Sequence, residues 1–301
     1  MNYKETIEKI RQELKTYIQE NNLQSLILGV SGGIDSTLVA AIAKPVCEEL
    51  NIPLIGRSLP IESNKQDEIN RARLVGESFC TKFRQENLEE IFNKLAHHNP
   101  DPRYIYNESI DKLGLSEQEM YNGWKIRNGN IKARLRMIYL YNEAAINSGV
   151  VLGTGNYTEY LLGFFTLHGD AAYDIGILNN FWKSEVYDMS EWIRDNECNI
   201  QKEKDCLTLS IDSLATDGLG ITDLGDLGQL LPDWKGSSRD GYKIIDNQLN
   251  HFIKNRKDLL YLNLFIEKEI SDRIVNDPII LRNSKTEFKR NHPKIINIEK
   301  S

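Results

Sequence analysis

Cysteine is scarce in this chain: there are four in 301 residues (Cys47, Cys80, Cys198 and Cys206), and no two of them form a CxxC pair. This spacing argues against a thiolate zinc site and against a disulfide framework. Long apolar runs are also missing, since no stretch reaches the ~18 apolar residues of a membrane-spanning helix, and no secretory signal pattern is present. Together these absences predict a cytoplasmic protein with reduced thiols, without zinc and without a membrane partner.

An excess of positive charge is missing as well. The chain carries 37 lysines and arginines against 44 aspartates and glutamates, a net charge of −7. This acidic balance argues against a broad nucleic-acid-binding surface. The one basic cluster of note, residues 285–294, is either a solvated tail or a phosphate-binding segment. No repeat, low-complexity tract or Pro/Gly/Ser-rich linker interrupts the sequence, which predicts a single domain over residues 1–301.

What the sequence does contain is a glycine turn after a short apolar run. Residues 25–30 are mostly apolar, and the loop SGGIDS at positions 31–36 precedes a helix-favouring stretch. Glycines permit a sharp turn whose N–H groups can face a phosphate, and the new helix adds its positive dipole end. Ser31 and Ser36 can donate hydroxyl hydrogen bonds, and Asp35 can hold a phosphate-bound Mg²⁺. The same residues also fit an ordinary capped strand-to-helix turn.

Short apolar segments predict the strands of a sheet. They lie near residues 25–30, 52–59, 81–86 and 150–153, with helical stretches between them. This alternation is typical of an α/β fold with a doubly wound, mainly parallel sheet and helices on both faces. Ligands of such folds bind at the carboxyl ends of the strands, where the strand order reverses. We therefore expect Ser31 and Thr154, which each follow a predicted strand, to lie on the same edge of the sheet.

Two charged side chains follow the last of these strands. Glu159 lies five residues beyond Thr154 at the start of a predicted helix, where it is either a second Mg²⁺ ligand beside Asp35 or a solvated first-turn acid. Lys183 opens an amphipathic helix, at a position where its charge opposes the helix dipole. That mismatch indicates an anionic partner, although a solvated lysine fits the same pattern.

Helical periodicity predicts a helix over residues 3–21 that packs on the sheet or on a partner subunit. Its apolar face consists of Ile7, Ile10, Leu14 and Ile18. Further along, residues 97–123 are rich in Asn, Asp, Pro and Tyr and are predicted to be an insertion. We expect this insertion to form a loop or a lid, with a short helix near residues 116–121.

Another predicted helix begins near Asn130 and carries two arginines. Its apolar positions Ile131, Leu135, Ile138 and Tyr139 are expected to face the core. One of Arg134 and Arg136 is then expected to point to a ligand, while the other arginine and Lys132 fit surface charge or ion pairs.

Several segments together carry a resemblance to a known family. The loop SGGIDS resembles the pyrophosphatase loop SGGxDS of enzymes that split ATP into AMP and pyrophosphate. From Val150 the chain reads VVLGTGNYTEYLLGFFTLHGDAAYDIGILNNFWKSEVYDMSEWI, which resembles the signature block of NAD synthetases. Residues 57–67, 129–137 and 285–293 resemble three more segments of that family in the same order. The resemblance covers the chain from about residue 25 to residue 293.

The resemblance to the NAD synthetase family implies a Rossmann-like fold of the adenine nucleotide alpha hydrolase type. It implies ATP-dependent amidation of deamido-NAD with ammonia through an adenylated intermediate, giving NAD, AMP and pyrophosphate. Asp35 and Glu159 would hold Mg²⁺, and Asp35 and Lys183 would be catalytic. The residues implied to contact ATP are Ser31, Gly32, Gly33, Ile34, Asp35, Ser36, Thr37, Arg57, Gln66, Thr154, Lys183 and Thr216.

On the deamido-NAD side, the resemblance implies contacts from Arg134, Asp174, Phe288 and Lys289, with Asp174 also catalytic. Two positions depart from the family pattern, because Leu167 stands where a substrate-binding lysine is common and Phe288 where a histidine is common. Short members of the family are homodimers with deamido-NAD near the subunit interface, which implies the same assembly here.

Free ammonia is the expected nitrogen donor. Only about 24 residues precede the first predicted strand, too few for a glutaminase module. Two alternatives stay open at this point. Another ATP pyrophosphatase, amide-forming or tRNA-modifying, would keep the ATP residues and lose those for deamido-NAD. A nucleotide sensor would bind its ligand without releasing pyrophosphate.

Overall fold

The computed structural model describes residues 1–61, 65–96, 116–216, 221–222, 225–262 and 277–291, with side chains of the helix that ends at Leu262 described as far as Lys254. The strands are β1 (Ser25–Gly29), β2 (Leu54–Ser58), β3 (Lys82–Gln85), β4 (Gly149–Gly153) and β5 (Ile175–Gly176). The helices are α1 (Tyr3–Glu20), α2 (Ile34–Leu50), α3 (Gln66–Phe79), α4 (Glu89–Ala96), α5 (Glu117–Ile146), α6 (Tyr157–Leu162), α7 (Lys183–Asn196), α8 (Gln201–Asp212), α9 (Gly225–Leu230), α10 (Ser238–Leu262), α11 (Pro278–Lys285) and α12 (Glu287–Arg290).

The five strands form one parallel sheet in the order β3-β2-β1-β4-β5. The four predicted strands are confirmed, as is the parallel α/β architecture. The order reverses between β1 and β4, which are hydrogen-bonded neighbours. Ser31 and Thr154 follow these two strands, so both lie at the carboxyl edge of the sheet at its switch point, as predicted. Strand β5 was not predicted, because its two residues are too few to show a periodic pattern.

Helices cover both faces of the sheet because successive side chains of each strand point to opposite sides. Leu26 and Leu28 of β1 join one core with α1, α2, α7 and α8, whereas Ile27 joins a second core beneath α5. All three side chains are 0% exposed. Burying an aliphatic side chain of this size contributes about 1.5–3 kcal/mol each, so the alternation fixes which face each helix covers.

The predicted N-terminal helix is confirmed as α1, which packs on α2 and α7. Ile7, Leu14 and Ile18 are buried, and Ile10 packs against them while partly buried. Asn2 caps the helix by accepting a hydrogen bond from the backbone of Glu5. The apolar stripe of the sequence therefore corresponds to a core contact within this chain.

Helix α5 differs from its prediction at two points. It begins at Glu117 and not near Asn130, because Ser116 and Glu119 form a capping box that starts the helix earlier. The short helix predicted near residues 116–121 is therefore the first part of α5, and residues 97–115 of the predicted insertion lie outside the described residues. Ile138 does not face the core but is 67% exposed, because Leu135, Met137 and Leu140 are the residues that turn toward the sheet.

Among the described residues, no helix combines the length and apolar character needed to cross a bilayer. The four cysteines are all free thiols. Burial raises the pKa of Cys47, Cys80 and Cys206 to about 12 in each case. These thiols therefore pack as small apolar groups at neutral pH, and the structure gives them no nucleophilic character.

Candidate active site

A cavity of about 1040 Å³ opens at the carboxyl edge of the sheet, beside the ends of β1, β2 and β4. Most of the residues predicted to bind ATP or Mg²⁺ meet there. The predicted residues that line it are Ser31, Gly33, Ile34, Asp35, Arg57, Thr154, Glu159, Lys183, Thr216 and Lys289. The predicted residues that do not are Gly32, Ser36, Thr37, Gln66, Arg134, Asp174 and Phe288. The structure thus brings most of the residues of the predicted ATP site to one cavity, whereas three of the four predicted deamido-NAD contacts lie outside it.

The glycine loop between β1 and α2 is held by hydrogen bonds within itself. Ser31 Oγ accepts the Gly33 N–H at 3.2 Å and lies 3.0 Å from Ser36 Oγ. Thr37 donates its hydroxyl to the carbonyl of Gly33 at 2.9 Å. Gly32 has a φ of +80°, and a Cβ at that position would lie 2.6 Å from the backbone nitrogen of Ala72. Only glycine fits this position, because α3 lies directly against the turn.

A buried lysine joins the two carboxylates that the sequence singled out. Lys183 Nζ is salt-bridged to Asp35 Oδ2 and lies 3.0 Å from Glu159 Oε1. The Lys183 side chain is 3% exposed, against 16% for Asp35 and 20% for Glu159. The Lys183 charge is therefore balanced by two carboxylates of the chain itself, and its predicted contact with an ATP phosphate stays a prediction. Three elements supply the cluster, with Asp35 in the first turn of α2, Glu159 in α6 and Lys183 at the start of α7.

Asn156 organises the same cluster, a role that the sequence does not predict. Its amide nitrogen donates to Asp35 Oδ1 at 2.8 Å. Its amide oxygen accepts the Glu159 N–H at 3.0 Å, and its own N–H donates to Glu159 Oε2 at 3.3 Å. The last two bonds form a capping box for α6. The spacing Asn156-x-x-Glu159 was a signal for this cap, although not for the bond to Asp35.

The charges of the cluster shift one another's proton affinity. Burial raises the pKa of Glu159 to about 7, an effect that Lys183 opposes and that the nearby Asp35 carboxylate reinforces. Burial alone would lower the pKa of Lys183, but the carboxylates of Asp35 and Glu159 raise it well above its usual value. Lys183 therefore stays charged at neutral pH, while Glu159 gains or loses its proton close to that range.

The donor chemistry of the cluster fits Mg²⁺. Asp35 and Glu159 direct carboxylate oxygens toward one shared neighbour, and Mg²⁺ is bound in proteins by one or two carboxylates together with phosphate oxygens. Among the described residues, no group of three or more His, Cys, Asp or Glu side chains is placed to hold a metal ion. Oxygens from a bound phosphate would therefore have to complete the coordination.

Arg57, a predicted ATP contact, lines the cavity but is bonded to another residue. Its Nε donates to Glu143 Oε2 of α5 at 3.0 Å, and its NH1 donates to the Gly56 carbonyl at 3.0 Å. The side chain is 9% exposed. Gln66, at the start of α3, is exposed and donates to Asn70 at 3.0 Å. Both ATP roles stay predictions.

The two arginines of α5 take opposite positions. Arg134 is exposed and donates from Nε to the Leu167 carbonyl at 3.1 Å, outside the cavity. Arg136 lines the cavity, donates from Nε to the Leu59 carbonyl at 2.9 Å, and has its pKa lowered by burial. Arg136 is therefore not surface charge, because it lies where α5 crosses the carboxyl edge of the sheet. Lys132 also lines the cavity and lies 4.8 Å from the centre of the Phe92 ring.

The remaining deamido-NAD residues are divided between the cavity and the surface. Asp174 is exposed, accepting the Val151 N–H at 2.7 Å and the Tyr141 hydroxyl at 3.1 Å. Phe288 is 64% exposed. Lys289 lines the cavity and donates to two backbone carbonyls, and burial lowers its pKa. The predicted contacts of all three with deamido-NAD stay predictions.

Comparisons with known proteins identify a family to which this sequence is similar. The family model described as NAD synthase matches residues 6–204. An NH(3)-dependent NAD(+) synthetase of Finegoldia magna is 31% identical over 191 residues, which is 64% of this chain and 69% of that protein. One of Pyrococcus furiosus is 29% identical over 290 residues, which is 95% of this chain and 93% of that protein.

A solved structure shows the same fold. The structure of NMN synthetase from Francisella tularensis superposes with a TM-score of 0.67 at 20% identity, covering 99% of this chain and 100% of that one. The matching family model spans more than half of the chain, and it includes the glycine loop and the lysine–carboxylate cluster. This chain therefore belongs to the NAD synthetase family.

Proposed function

We propose that this protein makes NAD from deamido-NAD, ATP and ammonia in two chemical steps. The nicotinate carboxylate attacks the α-phosphorus of ATP and displaces pyrophosphate, which leaves an acyl adenylate. Ammonia then attacks the carbonyl carbon, loses a proton and expels AMP. The observation that carries the proposal is the lysine–carboxylate cluster of Asp35, Glu159 and Lys183 beside the glycine loop, inside one cavity.

The cluster supplies the charges that this reaction requires. The reaction needs positive charge where pyrophosphate leaves, and Lys183 stays protonated at neutral pH because two carboxylates stabilise its charge. Asp35 and Glu159 would hold Mg²⁺, whose chemistry is to neutralise phosphate oxygens. When ATP enters, its phosphates compete with these carboxylates for Lys183, so we expect the lysine to exchange one anionic partner for another.

The chain's other groups position the two reactants. Holding two anions together is worth up to about 7–11 kcal/mol of the activation barrier when the geometry is correct. The start of α2 presents its positive dipole end to the cavity through Gly33 and Ile34, which supports a phosphate position there. Thr154 and Thr216 line the same cavity and would complete the ATP contacts.

We propose in addition that the protein is a homodimer whose interface includes the exposed face of α5. Arg134, Ile138 and Tyr141 share that face at helical spacing, and the last two are 67% and 38% exposed. Asp174 joins it through the Tyr141 hydroxyl. Two residues predicted to contact deamido-NAD thus lie beside exposed apolar side chains, which supports a substrate site completed by a second subunit. Asp174 would contact deamido-NAD at that interface, outside the cavity that holds the lysine–carboxylate cluster.

We also propose that the protein is cytoplasmic. The free thiols of all four cysteines support it, since thiols persist in reducing compartments.

The direct test is to incubate the purified protein with ATP, Mg²⁺ and deamido-NAD, with ammonium or glutamine as nitrogen source. We expect NAD to form with ammonium, with one pyrophosphate released per NAD. ATP binding without any product would contradict the proposal and favour a nucleotide sensor. Pyrophosphate release with a different acceptor would favour another ATP pyrophosphatase. Activity with glutamine alone would contradict the proposed use of free ammonia.

A further inference from the structure

A buried carboxylate on α10 is bonded to both segments that present the lysine–carboxylate cluster. Asp246 Oδ1 accepts the Thr158 hydroxyl at 2.6 Å, and Asp246 Oδ2 accepts the backbone N–H of Ser184 at 2.8 Å. Thr158 Oγ1 in turn accepts the backbone N–H of Lys183 at 2.8 Å. Thr158 is 0% exposed and Asp246 is 5% exposed. Asp246 is not among the residues that line the cavity.

These bonds cap α7 from a distant part of the chain. The first N–H groups of a helix have no partner within the helix. The residue before α7 is Trp182, whose side chain provides no capping bond. The N–H groups of Lys183 and Ser184 are bonded instead to Thr158 and Asp246. A negative charge at this helix start also interacts favourably with the helix dipole.

The same bonds connect the two proposed ATP-side charges. Thr158 directly precedes Glu159 in α6, and Lys183 is the first residue of α7. Because the Thr158 hydroxyl is bonded to the backbone of Lys183, it fixes the Cα positions of Glu159 and Lys183 relative to each other. Tyr242, one turn before Asp246 on α10, adds a second contact, since its ring centre lies 5.6 Å from Lys183 Nζ.

We propose that Asp246 is a positioning residue that, through Thr158, sets the spacing between the Lys183 ammonium and the Glu159 carboxylate. It would thereby control MgATP binding and the rate of pyrophosphate release without touching the ligand. The inference rests on the proposed function. Outer-shell partners of this kind typically change metal affinity or activity 10–100-fold when they are removed. The residue also lies beyond residue 204, where the match to the family model ends.

Three variants and a control test the proposal. Asp246→Asn keeps an oxygen that can accept the Thr158 hydroxyl but places an NH2 group, which cannot accept a hydrogen bond, next to the Ser184 N–H. Thr158→Val removes the linking hydroxyl, whereas Thr158→Ser retains it. The control is Asp240→Asn, on the same helix but exposed, where the carboxylate accepts the Ser237 hydroxyl at 2.7 Å and lies 3.8 Å from Lys243 Nζ at the surface.

We expect Asp246→Asn and Thr158→Val each to lower kcat about 10–100-fold and to raise the Mg²⁺ concentration for half-maximal activity, with the KM for deamido-NAD unchanged. Thr158→Ser should stay within about threefold of wild type, as should Asp240→Asn. The double variant Asp246→Asn/Thr158→Val should be hardly worse than either single variant, because both interrupt one connection. Calorimetric titration with MgATP should show the same order of affinities independently of turnover.

Several results would overturn the proposal. A wild-type kcat and Mg²⁺ dependence in Asp246→Asn would do so, as would a Thr158→Ser variant as impaired as Thr158→Val. A kcat reduced only in proportion to the unfolded fraction, with MgATP affinity unchanged, would assign Asp246 a purely structural role. A wild-type protein that binds MgATP but forms no NAD refutes the proposed function instead, and the calorimetric comparison of the variants still decides the role of Asp246 in MgATP binding.

Discussion

The side-chain amide of Asn156 lies 2.8 Å from Asp35 Oδ1 and joins residues that are 121 positions apart in sequence. The same side chain caps α6 by accepting the Glu159 N–H, and the Asn156 backbone N–H donates to Glu159 Oε2, so one asparagine contacts both carboxylates proposed to hold Mg²⁺. The end of β4 is thereby connected to the first turn of α2 across the switch point of the sheet.

Substitution of Asn156 should separate its two contributions. Asn156→Ala loses both bonds and should reduce the free energy of unfolding by about 1 kcal/mol, the usual value of a helix cap, while raising the Mg²⁺ requirement. Asn156→Ser retains a capping oxygen but is too short to reach Asp35, so it should keep wild-type stability and still raise the Mg²⁺ requirement. Urea denaturation and Mg²⁺ titration of activity measure the two effects. Equal Mg²⁺ requirements in wild type and Asn156→Ser would contradict the role assigned to the bond with Asp35.

The glycine loop offers a matched pair of substitutions. Gly32→Ala places a Cβ 2.6 Å from the Ala72 nitrogen at a φ of +80°, and backbone strain of this kind costs about 1–3 kcal/mol. Gly33 has a φ of −82°, and its nearest neighbour would be Ser31 Oγ at 3.4 Å. Gly33→Ala should therefore fold with nearly wild-type stability. Thermal unfolding of both variants checks this, and equal midpoints would show that α3 does not constrain the loop.

Asp35 should be essential for pyrophosphate release and dispensable for folding. Asp35→Asn removes one of the two carboxylates proposed to hold Mg²⁺, and the loss of a charge that stabilises a transition state typically costs about 10²–10³ in kcat. Asp205→Asn, at an exposed position of α8 away from the cavity, is the control. Pyrophosphate release is the assay, with far-UV circular dichroism to verify the fold. Near-wild-type turnover of Asp35→Asn would exclude the metal role.

The proposed dimer depends on exposed apolar side chains of α5. Ile138→Asp places a charge on that face and should yield monomers, because a buried unpaired charge opposes association. Leu209→Asp, at a site 49% exposed on α8, should leave the assembly unchanged. Sedimentation velocity gives the mass of each variant. A wild-type protein that sediments as a monomer, or an Ile138→Asp variant that remains a dimer, would contradict the proposed interface.

The sequence predicts the sheet, and the strand and helix ends that carry the proposed ATP-side residues, because these features rest on local signals. A strand followed by a glycine loop places Ser31 at a strand end, and Glu159 and Lys183 start helices for reasons visible within a few residues. Asn156 could be predicted as a cap, but its bond to Asp35 depends on which strands are neighbours. Asp246 and Arg136 reach the site through packing between distant helices, which no local pattern encodes. Ile138 fits helical spacing as well as Leu135 does, so spacing alone predicts a core position for a residue that the structure exposes.

Glu159 should make the stability of the ligand-free protein depend on pH. Its pKa is raised from 4.5 to about 7 in the folded state. Between these values the folded protein binds more protons than the unfolded chain, so this contribution to stability is complete below about pH 4.5 and is lost as the pH rises through 7. Glu159→Gln lacks the titrating group.

We therefore expect Glu159→Gln to gain stability relative to wild type on going from pH 5 to pH 8, by an amount on the order of 1 kcal/mol. The measurement is urea denaturation at both pH values in the absence of Mg²⁺ and ATP, with Glu191→Gln, a partly exposed glutamate of α7 outside the cavity, as the control. Added Mg²⁺ should restore the stability that wild type loses at pH 8, since binding to the ionised carboxylate stabilises the folded state. A difference between Glu159→Gln and wild type that does not vary with pH would show that Glu159 titrates at its usual value, and that Lys183 and Asn156 fully offset the cost of its burial.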